Sequence, residues 1–82
     1  MPYPDIESSE VRRRGEEIYQ NRLRRHVEPF AQGEFIAIDV LSGGFEVDND
    51  DLVASRRLIA RNPGARIWGR RVGTSAIDRI GL

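Results

Sequence analysis

Apolar residues recur at intervals of three and four from Ser9 onward: Val11, Gly15, Ile18, Tyr19, Leu23, His26, Val27 and Phe30. That spacing predicts an amphipathic helix over about 9–28. Ser8 or Ser9 is placed to cap its first amides, Glu10 suits its positive end, and Pro29 disfavours helical geometry at Glu28. Arg22, Arg24 and Arg25 then fall near the C-terminal end, where positive charge is favourable. Gln32-Gly33 breaks the pattern, and residues 34–41 (EFIAIDVL) read as a strand buried on both faces. Ser42-Gly43-Gly44 supplies a tight turn with positive φ at Gly43 or Gly44, so that Phe45-Glu46-Val47 returns antiparallel as a hairpin. Asp48-Asn49-Asp50-Asp51 precedes Leu52, Val53, Ala54, Leu58, Ile59 and Ala60, which predicts a second helix over about 50–61, closed by Asn62-Pro63-Gly64. Residues 65–72, with Ile67, Trp68 and Val72, form a third strand, and a short last strand is expected over 76–80.

The order α-β-β-α-β, with a possible final β, implies an α+β fold: a small mixed sheet of three or four strands with two helices packed on it. No repeat or linker divides the chain. A flexible segment over 1–8 is expected to lead into one domain over 9–82.

Length then limits function. A chain of 82 residues has a thin core, with little apolar material to wall a deep cavity. Cysteine is absent, which removes disulfides, thiolate nucleophiles and Cys-based zinc sites. No apolar run approaches the roughly 20 residues that span a bilayer, and Met1-Pro2-Tyr3-Pro4-Asp5 does not resemble a signal peptide, so the cytoplasm is the expected location. Thirteen basic and thirteen acidic residues cancel, leaving no global field toward nucleic acid or a membrane. Apart from His26 every basic side chain is arginine, and from Pro63 onward Asp78 is the one acidic side chain against Arg66, Arg70, Arg71 and Arg79.

No catalytic constellation, metal set or cofactor motif emerges. A calcium loop begun at Asp48 needs Gly at its sixth position and Glu at its twelfth, where Val53 and Ile59 stand, so the acidic run reads as a helix cap. His26 is the sole histidine, and Glu28, two positions on, points elsewhere on a helix. Asp39, inside an apolar strand, either faces inward and needs a partner such as Arg70 or Arg71, or sits at an exposed strand end and caps the following turn. For nucleic acid the candidates are Arg12, Arg13 and Arg14, the group Arg22, Arg24 and Arg25, and Trp68 among Arg66, Arg70 and Arg71, with Trp68 a stacking platform only if it faces solvent.

The stretch GEFIAIDV (33–40) with Ser42-Gly43-Gly44-Phe45-Glu46-Val47, then Ala54, Leu58, Arg61, Pro63, Ala65 and Arg71-Val72-Gly73, resembles a family of short uncharacterised bacterial proteins over about residues 15–81. The resemblance implies a gene often found beside genes for retropepsin-like aspartic proteases, and hence a paired, antitoxin-like or regulatory role. It implies no catalytic residue. The expected function is a non-enzymatic interaction module acting through a protein partner, either a second copy or a neighbouring gene product. Val11, Ile18, Tyr19, Leu23 and Val27 are its candidate docking residues, because a helix of about 30 Å overhangs strands of about 20 Å. The alternatives are a nucleic-acid-binding regulator using the arginines above, or a small oligomeric enzyme.

Overall fold

The computed structural model describes residues 7–73. The segment 1–8, apart from its last two residues, and the strand expected over 76–80 lie outside them. One continuous helix opens the fold: an α-helical segment α1 (Ser8–Ile18), a π-helical turn (Tyr19–Leu23) and a second α-helical segment α2 (Arg24–Ala31). Strands β1 (Phe35–Asp39) and β2 (Phe45–Asp48), helix α3 (Asp51–Arg61) and strand β3 (Ile67–Arg71) follow. The sheet order is β2-β1-β3, and β1 is antiparallel to both neighbours. β2 and β3 therefore run parallel on either side of β1, with α3 crossing between them.

The result is an α+β fold in three layers. Ile36 and Ile38 of β1 pack with Tyr19, Leu23, Val27 and Ala31 of the long helix and with Val72. Ala37 of β1 packs on the opposite face with Ala54 and Leu58 of α3. The two faces of β1 thus feed two separate cores, which is why the strand carries no polar alternation. Gly15 lets Trp68 of β3 lie flat on the helix, since a Cβ there would stand 2.5 Å from the indole ring.

The long helix differs from its expected form at both ends. Its N-cap is Glu7, without a side-chain cap, so Ser8 and Ser9 lie inside the first turn. It runs past Pro29 to Ala31; burial of Val27 and Ala31 against the sheet offsets a proline cost of about 3 kcal/mol in an isolated helix. Arg22, Arg24 and Arg25 are consequently mid-helix, and no basic residue occupies the last turn. Dipole compensation, which fades within one turn, does not account for them.

The hairpin loop is also longer than a two-residue turn. The last ladder bond runs from the Asp39 amide to the Gly44 carbonyl at 2.8 Å, and Val40–Gly44 form the loop. Gly43 alone of the two glycines takes positive φ, at 85°. Asp39 explains the shortening of β1. It is fully buried, and its carboxylate accepts from the Leu41 amide, the Ser42 hydroxyl, the Asn62 side-chain amide and the Arg66 amide at 2.5–3.1 Å. It does cap the turn, but from an interior position. The acidic run acts as a cap too, with Asp50 accepting from the Leu52 amide at 2.9 Å.

Candidate functional site

The buried residues of the long helix are Gly15, Tyr19, Leu23, Val27 and Ala31, each four apart. In a regular α-helix at about 100° per residue, each such step overshoots a full turn by about 40°, and the five would smear across about 160°. The π turn, closed by the Arg24 amide on the Tyr19 carbonyl, winds less per residue and returns the stripe to one face. This has a second effect. Continued regularly from Tyr19, the helix would turn His26 and Phe30 inward and leave Ala31 at the margin. Instead Ala31 is buried, and His26 and Phe30 are outside.

Of the candidate docking residues, Tyr19, Leu23 and Val27 are therefore interior, while Val11 and Ile18 are half-buried, Ile18 against the core's edge. Toward the N-terminal end, residues 8–14 include none that is fully buried, and Glu10, Val11 and Arg14 are half-buried. The large apolar side chains that do reach solvent are Phe30 at 76% exposure, Leu52 at 60%, Ile59 at 45% and Phe45 at 36%.

Most of the nucleic-acid candidates are engaged within the fold. Arg13 and Arg14 pair with Glu10, and Arg13 also with Glu17. Arg70 pairs with Glu16 and stacks over Tyr19 at 4.3 Å. Arg71 donates to the Gly33 carbonyl. Arg66 is half-buried, and so is Trp68, against Gly15. Arg12 remains exposed and unpaired among the described residues.

Of the hollows that border the π turn, two contrast in chemistry. One, of about 230 Å³, is lined by Glu16, Tyr19, Arg24, Glu28 and Arg70 among others. Here the Tyr19 hydroxyl donates to Glu28 at 3.3 Å and accepts from the Gly73 amide at 3.0 Å, while Arg24 pairs with Glu28. Burial pushes the Tyr19 hydroxyl above its ordinary pKa. A phenol held neutral, among carboxylates already matched by guanidiniums, is a structural network and a poor general base.

The other hollow, of about 380 Å³, is lined by Asn21, Arg22, Leu23, Arg25 and His26 and has no carboxylate. Arg22 and Arg25 have no ion-pair or hydrogen-bond partner among the described residues. Comparison with known proteins adds no assignment: no family model, curated protein or solved structure matches this chain.

Among the described residues, no group of three or more His, Asp or Glu side chains is placed to hold a metal ion. Asp48 is taken by Arg57 and the Asp50 amide. No described helix is long and apolar enough to cross a membrane. The carboxylate-free hollow is not legible in the sequence, where Arg22 and Arg25 read as charges at a helix end. The four-residue spacing of Gly15, Tyr19, Leu23 and Val27 was the signal that could have exposed the π turn.

Proposed function

We propose that this protein is a non-enzymatic interaction module that docks a protein partner on the outer face of its long helix, around Phe30. One observation carries this. The helix takes a π turn that buries Ala31 and leaves Phe30 in solvent, forgoing a burial worth about 1.5–3 kcal/mol for a large apolar side chain. Neighbouring Val27 and Ala31 are locked into the core, so Phe30 has no inward alternative without rotating the helix end. Single-turn π insertions are found frequently at functional sites, and an exposed aromatic on a rigid support is the usual anchor of an interface. Tyr19, Leu23 and Val27 hold the domain together; the docking face lies beside them.

The partner is a second copy or another protein, and the resemblance noted above makes a neighbouring protease gene product one to try. Phe30→Ser separates docking from folding. Because the side chain is mostly exposed, stability should change by about 0.5 kcal/mol or less. Sedimentation of the protein alone and co-expressed with its genomic neighbours should show an association that this variant loses. Association unchanged by Phe30→Ser would defeat the proposal.

A further inference from the structure

We infer that the hollow at the π turn, with Phe30 one helical turn beyond His26, takes an acidic protein segment that also carries an apolar side chain. The inference rests on the docking face proposed above and names the chemistry of its partner.

Part of the charge on this domain is matched internally. Arg13, Arg14, Arg24, Arg57, Arg61 and Arg70 each meet a carboxylate. Arg12, Arg22, Arg25 and Arg56 meet none among the described residues, and of these Arg22 and Arg25 share a hollow without a carboxylate, with the imidazole of His26 and the amide of Asn21, while Arg25 also borders a neighbouring hollow with Arg24 and Glu28. The nearest carboxylate along the helix, Glu28, is held by Arg24 and Tyr19. The buried Asp39 beneath the adjoining loop is filled by its four donors. Nor does the helix end explain these arginines, since they stand before its last turn. Two guanidiniums suit paired carboxylate oxygens, and Phe30 offers the apolar contact that converts a weak electrostatic encounter into a specific one.

A phosphate backbone would also be attracted, and magnitude decides against it. A protein making roughly 6–10 phosphate contacts releases a comparable number of counterions, whereas Arg22 and Arg25 would release about two, on a protein with no net charge to help. A short carboxylate-rich segment needs no more cations than the hollow holds.

The test uses the ¹⁵N-labelled full chain, titrated with a short peptide alternating Asp and Glu around a central Leu pair, and in parallel with single-stranded oligothymidylate. Amide shifts should concentrate between Asn21 and Phe30. Changing Arg22→Glu with Arg25→Glu should weaken peptide binding at least about tenfold, while Arg12→Glu changes it about twofold or less. If the double reversal does not fold, as judged by circular dichroism, Arg22→Gln with Arg25→Gln reads the same loss. Absence of shifts in this segment, equal binding by the double variant, or tighter binding of oligothymidylate would overturn the inference. If Phe30→Ser abolishes association while the arginine variants leave it intact, the docking face stands and its acidic specificity falls.

Discussion

Deleting Asn21 probes the π turn directly. The residue is exposed and lines the cationic hollow, and its removal takes no side chain from either core. With one residue fewer, a regular helix would set Gly15, Tyr19, Leu23, Val27 and Ala31 within about 80° of one another, compared with about 160° for the intact sequence wound regularly. An apolar stripe about 100° wide accommodates the first and not the second. The shortened chain should therefore fold with a regular helix, its stability within about 1 kcal/mol of the parent, the net worth of one backbone hydrogen bond. Urea unfolding followed by circular dichroism reads the stability. The Arg24 amide, bonded to the Tyr19 carbonyl in the parent, should move to a four-residue bond visible by NMR. A loss above about 3 kcal/mol, the scale of emptying a core leucine site, would show that the helix is not one α-helix interrupted by a single added residue.

Other consequences follow from particular groups. Asp39→Ala takes the acceptor from four donors, three of them on half-buried residues, and should cost about 3 kcal/mol or more in urea; a cost below about 1 kcal/mol would contradict the interior position of this carboxylate. Gly43, at φ 85°, should tolerate Val worse than Gly44 does, by about 1–2 kcal/mol, and equal unfolding midpoints would refute the loop geometry. Hydrogen bonds from Arg13 and then Arg14 lower the Glu10 carboxyl from 4.5 to about 2. A depressed folded pKa places its contribution above the unfolded value and removes it as pH falls through the folded one. Order in the first helical turns should thus persist at pH 5 and fade toward pH 2, and an NMR titration placing Glu10 near 4.5 would count against these pairs.

The layers were legible because each rests on a local signal: apolar spacing for the helices, β-branched runs for the strands, and Asp50 for a cap. The two-sided burial of β1 was equally plain in Phe35-Ile36-Ala37-Ile38. What escaped was set by tertiary contact. Pro29 argued for a stop at Glu28, yet the sheet holds the helix to Ala31. Spacing alone puts His26 and Phe30 on the apolar stripe, because it implies regular winding past Tyr19. Trp68 and Arg70 suggested a nucleic-acid surface until Gly15, Glu16 and Tyr19 came to lie against them. The stretch from Gly33 to Val47 gains its meaning in three dimensions, where buried Asp39, accepting from Ser42 and Asn62, anchors the loop and the end of α3.

Phe30 is proposed to face a protein partner. Site-specific photo-crosslinking in the native cell tests it most directly, with a photoreactive phenylalanine analogue at position 30 and, as control, at position 56, exposed on α3 across the sheet. A discrete protein adduct, with this chain or another, is expected from position 30 and none from position 56. No adduct at position 30, equal labelling from both positions, or an adduct to nucleic acid would contradict it.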